Sequence, residues 1–325
     1  MHNAAMSVDH VLIIGAGMAG ASAAAKLRGA GHAGGITLVG EEQRLPYDRP
    51  PLSKEVLLGR ARGGDALILP EDFYRKERID VRLGSQVTSL DLDARAAVCE
   101  GGARIHYDQL VIATGARARR LHVPGITLPG VCYLRSVEDA SLLSESLHAA
   151  RRLVVIGGGF IGLEVASAAR HLGVEVVIVE QAPTCLERVM PSAAVSAVIG
   201  WHCERGVSVL CNRTVQVIEG RSRVESVTLD DGTQLEADLV VVGIGSVAND
   251  ELARKAGIAC ARGVLVDTRC RTSVDRVFAI GDVASIRDAS TGRGRRLESW
   301  DNAGRQAARV AEQLLGRRID QDNPP

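Results

Sequence analysis

The sequence predicts an α/β protein of two Rossmann-like domains, one inserted into the other. Gly-x-Gly-x-x-Gly turns occur twice, at Gly15-Ala16-Gly17-Met18-Ala19-Gly20 and Gly157-Gly158-Gly159-Phe160-Ile161-Gly162, each between an apolar run and a small-residue helix. About twenty residues after each turn an acid closes a second apolar run, Glu41 after Ile36-Thr37-Leu38-Val39 and Glu180 after Val176-Val177-Ile178-Val179. No low-complexity linker separates the two repeats, as expected when one domain is inserted into the other.

The elements follow in chain order. Strand 11–14, helix 18–29 and strand 36–39 form the first unit. The loop from Gln43 to Lys54 carries Pro46, Pro50 and Pro51, which preclude a regular element before about Ser53. A strand near 80–83, the alternating run Gln86 to Leu92 and a hairpin around Glu100-Gly101-Gly102 lead to the apolar strand Leu110-Val111-Ile112, which ends in the turn Ala113-Thr114-Gly115. Arg117 to Pro129 reads as a crossing loop. The second unit opens at Leu153, repeats strand, helix and strand as far as Glu180, and continues through 207–242 with a hairpin at Asp230-Asp231-Gly232. After Gly243-Ile244-Gly245 come a short helix 249–256, strands 264–266 and 277–280, and a last helix 302–315. The expected domains are 1–115 with 243–325, and 116–242 between them.

Physical reasons tie each glycine turn to a dinucleotide. The first glycine makes the tight turn, the second lets the backbone approach a pyrophosphate, and the third lets the helix pack closely on the strand. Free N–H groups and the positive end of the helix dipole then face the phosphates, and the acid accepts the ribose hydroxyls. Composition agrees: 325 residues, 46 % of them hydrophobic, are enough for two domains with real cores. Lys+Arg and Asp+Glu balance at 39 each, against a globally basic nucleic-acid binder. The apolar stretch Val11 to Leu27 is too short and glycine-rich for a membrane span and lacks the basic flank of a signal peptide. Cys99, Cys132, Cys185, Cys203, Cys211, Cys260 and Cys270 never come closer than eight residues apart, so no zinc or iron–sulfur spacing is present and no metal site is expected. Reduced thiols in a cytoplasmic protein account for them.

Longer segments narrow the reading. The stretch Pro46-Tyr47-Asp48-Arg49-Pro50-Pro51-Leu52-Ser53-Lys54, with Ala113-Thr114-Gly115, Gly157 to Glu164, Ile280-Gly281-Asp282 and Glu298-Ser299-Trp300-Asp301-Asn302-Ala303, resembles the FAD-dependent, NADH-oxidising ferredoxin reductases, in particular the reductase components of bacterial ring-hydroxylating dioxygenase and cytochrome monooxygenase systems. The resemblance covers nearly the whole chain and implies a glutathione-reductase-like fold, with an NAD domain inserted into an FAD domain. It implies that Gly15, Gly17, Ala19 and Gly20 hold the FAD pyrophosphate and Glu41 its ribose, with Val87 near the adenine, Arg135 on the pyrophosphate side and Ala113, Thr114 and Gly115 lining the same cofactor. Asp282 binds the ribityl chain, and Trp300 lies along the flavin ring. Gly157, Gly159, Phe160, Ile161 and Gly162 hold NAD, with Glu180 on its ribose, Arg188 within reach of a phosphate, and Ile244 and Gly245 lining the site. Lys54 against the isoalloxazine and Glu164 by the nicotinamide are the candidate catalytic residues.

Disulfide reductases of this broad fold carry a redox cysteine pair after the first strand–helix–strand unit. Here no cysteine occurs before Cys99, which implies that electrons leave the flavin directly for a one-electron carrier, a [2Fe-2S] ferredoxin that feeds a terminal oxygenase. Alternatives are a rubredoxin reductase or diaphorase-type dehydrogenase, and an NADH-sensing flavoprotein with a binding role. Arginines concentrate at Arg117, Arg119 and Arg120, at Arg293, Arg295 and Arg296, and at Arg305 and Arg309, candidate docking surfaces for an acidic partner. The resembled proteins continue past the last helix into a third domain after a Pro-Pro step like Pro324-Pro325, so that domain is expected to be missing.

Overall fold

The computed structural model describes residues 10–187, 189–288 and 293–316, so that Arg188 and Pro324-Pro325 lie outside the described residues. The chain divides into two compact units: one gathers residues through Asp48, Ala66–Arg117 and from Val247 onward, the other Arg49–Asp65 and Ala118–Ser246.

The first unit is built on a five-stranded sheet in the order Val277–Ala279, Gln109–Ile112, His10–Ile14, Gly35–Val39, Ile79–Arg82, parallel throughout. The central strand is apolar on both faces because both are covered, with Val11, Leu12 and Ile13 wholly buried. One face carries helix Met18–Gly29, whose Ala19, Ala23 and Ala24 allow close approach, beside helix Trp300–Leu314 with Ala303, Ala307 and Val310. The other packs against an antiparallel sheet, Val87–Asp91, Ala96–Cys99 and Arg104–His106. Val264–Val266, Ala284–Arg287 and Gly294–Arg296 form a third, smaller sheet.

The second unit repeats the plan. Its parallel sheet runs Val207–Cys211, Glu175–Glu180, Arg152–Ile156, Leu239–Val242, Val131–Cys132, again with the glycine-turn strand in the middle and the acid-bearing strand beside it. It too has an antiparallel sheet, Val215–Glu219, Ser226–Leu229 and Gln234–Glu236. A register shift falls at the first residues of both flanking sheets, between Val87 and Ser89 and between Val215 and Val217.

Three α-helices lie where no regular element is expected: Glu71–Lys76, Val137–Ala149 and Ser192–Glu204. A 3-10 helix over Pro50–Ser53 corrects the expectation that the prolines preclude a regular element before about Ser53, since proline is tolerated in a helix's first turn. The last helix begins at Trp300, two residues early, because Ser299 caps it by accepting the Asn302 N–H at 3.1 Å. Arg49–Asp65, which the sequence reading leaves in the first domain, is bound into the second unit. Arg49 donates to the Arg135 carbonyl (2.8 Å), Ser144 to the Leu57 carbonyl (3.3 Å), and Gly63 sits so close to Val137 that a Cβ would lie 2.4 Å from its methyl. Side-chain anchors of this kind carry no local periodicity for a sequence reading to detect.

Candidate functional site

Both glycine turns obey one steric rule. Gly15 takes φ +115° and a Cβ there would lie 2.1 Å from the Ala113 carbonyl oxygen, while one on Gly20 would lie 1.9 Å from the Gly15 oxygen. In the second turn Gly157 takes φ +106° with the Gly243 oxygen at 2.5 Å, and Gly162 meets the Gly157 oxygen at 2.1 Å. The middle glycines differ in kind: a Cβ on Gly17 would have nothing within 4 Å, and one on Gly159 only the Gly243 oxygen at 4.0 Å. The outer glycines are needed by the protein; the middle ones border open space, as a cradle for a pyrophosphate requires.

Capping gives a second test of fit. Helix Val137–Ala149 has a complete capping box, in which Ser136 Oγ accepts the Asp139 N–H and Asp139 accepts the Ser136 N–H. Helices Met18–Gly29 and Phe160–His171 start from Gly17 and Gly159 with no side-chain cap and no acid in the first turn. Helix Ser192–Glu204 lacks both as well, but of the three only Met18–Gly29 and Phe160–His171 start from a glycine turn. Their leading N–H groups are left for an anion. The residues therefore fit two dinucleotides, one in each unit.

In the first unit several of the predicted residues come together around the glycine turn. Gly15 N–H donates to Val39 O (2.8 Å), joining the turn to the strand that Glu41 follows. Ser85 N–H donates to Gly40 O (2.8 Å) and Gly84 N–H to Glu42 O (3.0 Å), which brings Val87 alongside. Gly281 takes φ +73°, and a Cβ there would lie 2.7 Å from that of Ala19, so Asp282 lies in a turn beside the start of the helix. Gln306, 1 % exposed, accepts the Gly281 N–H at 2.7 Å. Trp300, 60 % exposed, opens the last helix. Thr114 is clamped by Asn249: Thr114 Oγ1 donates to the Asn249 carbonyl (2.8 Å) and Asn249 Nδ2 to the Thr114 carbonyl (2.9 Å). Sequence reasoning missed Asn249 and Gln306, because partners 135 and 25 residues away leave no local signature.

In the second unit Glu180 Oε2 accepts the Gly158 N–H at 2.6 Å and Oε1 the Ala182 N–H at 2.8 Å. Gly243 N–H donates to Ile156 O (2.8 Å), setting Ile244 and Gly245 beside the turn. Phe160 and Ile161 are 54 % and 42 % exposed, large apolar side chains at the helix start. Glu164, one turn along, is held from two sides: Lys54 Nζ lies 2.8 Å from Oε1, and Ser53 Oγ donates to Oε2. Lys54, Arg135 and Glu164 all fall in the second unit. Ser53, unassigned from the sequence, joins them. Burial pushes the Cys185 thiol, behind this turn, up to about 12 and that of Cys270 equally, so both stay protonated. All seven cysteines are free thiols, and among the described residues no cluster could hold a metal and no helix is long and apolar enough to cross a membrane.

Known proteins match this arrangement. The pyridine nucleotide-disulphide oxidoreductase family model matches residues 9–307. The benzene 1,2-dioxygenase system ferredoxin–NAD(+) reductase subunit of Pseudomonas putida is 43 % identical over 98 % of this chain and 77 % of its own length. The rubredoxin–NAD(+) reductase of Pseudomonas putida is 41 % identical over 97 % and 82 %. Putidaredoxin reductase in its covalent complex with putidaredoxin superposes with a TM-score of 0.91 at 37 % identity, over 96 % of this chain and 77 % of that one. With its paired glycine turns and parallel sheets, the chain belongs to the pyridine nucleotide-disulphide oxidoreductases, beside the ferredoxin and rubredoxin reductases.

Proposed function

We propose that the chain is an FAD-dependent NADH:ferredoxin reductase that supplies electrons through a [2Fe-2S] ferredoxin to a ring-hydroxylating dioxygenase or cytochrome monooxygenase. The observation that carries this reading is the pair of uncapped glycine turns with open middle glycines, one in each unit, in a chain 43 % identical to a dioxygenase-system ferredoxin–NAD(+) reductase. The first unit takes FAD through Gly15–Gly20, Glu41, Val87, Thr114, Asp282 and Trp300, and the second takes NADH through Gly157–Gly162, Glu180, Ile244 and Gly245.

Bound FAD supplies the conversion between a two-electron donor and one-electron acceptors, giving NAD+, one proton and two reduced ferredoxins per NADH. The protein binds and orients. Glu180 accepts ribose hydroxyls and repels a 2′-phosphate, the two helix N-termini hold pyrophosphates, and Ser53 and Lys54 fix the Glu164 carboxylate in one orientation. The free thiols suit the reducing cytoplasm.

The purified protein should be yellow and bleach rapidly on adding NADH, and it should reduce a plant-type or putidaredoxin-type ferredoxin. A rubredoxin reductase is the second reading, favoured by the relative of that name at 41 % identity. Turnover with rubredoxin exceeding that with every ferredoxin tried would select it. Slow flavin reduction and a long-lived charge-transfer complex would instead indicate an NADH sensor.

A further inference from the structure

Gly158, second residue of the second glycine turn, is held from three directions. Its N–H donates to Glu180 Oε2 at 2.6 Å, its carbonyl accepts the Leu186 N–H at 3.0 Å, and a Cβ built on it would lie 2.3 Å from Cys185 Sγ. The carbonyl bond has a consequence one residue further on. In a trans peptide the C=O and the next N–H point in opposite directions. Leu186 therefore turns the Gly159 N–H away from itself, at a residue whose Cβ position has no neighbour nearer than 4.0 Å.

Leu186 adopts φ +54°, a left-handed conformation disfavoured for leucine, while only 5 % exposed. Cys185 beside it is wholly buried, a neutral packing group. Nothing similar braces the first turn: among the described residues Ala16, the counterpart of Gly158, meets Gly40 through its methyl, 2.6 Å from where a Gly40 Cβ would be, without a carbonyl clamp. The difference matches how the two nucleotides are used. A prosthetic FAD orders its turn once, whereas NADH arrives and leaves in every cycle and meets any cost of ordering each time.

We infer that Leu186 and Cys185 are positioning residues for the exchangeable nucleotide, presetting the Gly158–Gly159 peptide so that its N–H already faces the pyrophosphate position. This rests on the assignment of NADH to the second turn.

The test is the rank of two substitutions, Leu186→Gly and Leu186→Val, in the full FAD-loaded chain, read by calorimetric binding of NAD+ and by flavin content. If Leu186 acts only by packing, valine, which keeps more of the side chain, is the better replacement. If its left-handed backbone matters, glycine is better, since a β-branched residue is worst at positive φ. The expected result is a Kd within about threefold of the unsubstituted protein for Leu186→Gly and at least about tenfold weaker for Leu186→Val, with equal flavin content. Equal Kd values or the reverse order overturn the inference. Should either variant fail to fold, Gly158→Ala and Cys185→Gly, alone and together, decide it. Recovery of about tenfold or more in the double variant over Gly158→Ala supports the brace, and additive losses refute it. Unsubstituted protein that keeps its flavin but binds no NAD+ refutes the assignment of the turn itself.

Discussion

Replacing Glu180 should both weaken NADH and abolish the choice between NADH and NADPH. Its carboxylate accepts two backbone N–H groups, at 2.6 Å from Gly158 and 2.8 Å from Ala182, and Gly158 is buried, so water cannot readily replace the lost acceptor there. A hydrogen bond to a charged group contributes about 1.5–3 kcal/mol, and an orphaned buried donor costs about 1–3 kcal/mol. Those backbone bonds exist with or without nucleotide and bear on the stability of the turn. Counting only the one bond a ribose hydroxyl makes to the carboxylate on binding, kcat/KM for NADH should fall by about 10- to 150-fold in Glu180→Ala, at about 1.4 kcal/mol per factor of ten. Activity with NADPH should not fall in step, because the charge that repels the 2′-phosphate has gone, and the two nucleotides should come within about threefold of each other. Glu180→Gln sharpens the point, since its amide nitrogen must face one of the two backbone donors, making it nearly as poor as alanine. Steady-state rates with ferricyanide as acceptor measure both effects, with flavin absorbance confirming an intact first unit. A Glu180→Ala enzyme that keeps its parent's preference for NADH would remove Glu180 from the nucleotide site.

The glycines should separate by role: Gly20→Ala, with its Cβ 1.9 Å from the Gly15 oxygen, should lower the Tm markedly or prevent folding, whereas Gly17→Ala should keep the Tm within about 2 °C and lose FAD on dialysis. Equal melting temperatures would contradict this. Charge reversal at Arg295, exposed on Gly294–Arg296, should lower kcat/KM for ferredoxin about tenfold and flatten its salt dependence while sparing ferricyanide reduction; equal loss with both acceptors would show that Arg295 does not steer the partner. Cys185 and Cys270, pushed up to about 12 from an ordinary 9.0, are neutral in the folded state where unfolded thiols ionise. Their contribution is complete below pH 9.0 and is lost as pH rises toward about 12, so thermal melts should fall through that window, and less steeply in Cys270→Ala. Native labelling should modify Cys203 first and Cys185 and Cys270 only on unfolding; prompt reaction at Cys270 would refute its burial.

What the sequence made legible was what sterics force locally. The two turns could be read because Gly15, Gly20, Gly157 and Gly162 each lie against backbone that admits no Cβ, and the strands because both faces of each central sheet are covered. Helix Val137–Ala149 carried its own signal, the spacing of Ser136 and Asp139, which went unread beside the proline-marked stretch before it. Helix Ser192–Glu204 offers little contrast between its faces, with Val195 its one buried side chain. Strand Gly294–Arg296 is three residues of glycine and arginine, paired with Ala284–Arg287 through backbone bonds that no side-chain pattern advertises. The braces behind the turns, Asn249 on Thr114 and Leu186 on Gly158, were hidden because each acts through a main-chain group.

The order of strands in the first sheet also constrains how the chain can be made. Gln109–Ile112 pairs on one side with His10–Ile14, already synthesised, and on the other with Val277–Ala279, which follows only after Ala118–Ser246 has been translated. At about 5–20 residues per second the waiting time is roughly 10–30 s, long compared with the collapse of the segment between. During that interval Leu110, Val111 and Ile112, wholly buried in the finished protein, present an apolar parallel edge with no neighbour. The second unit can complete its sheet from within residues 118–246, so it should be structured on the ribosome while the first is still open. Expression yield then depends on the edge at Gln109–Ile112: slow codons between Ser246 and Val277 lengthen its exposure, and a chaperone that binds short apolar strands shields it.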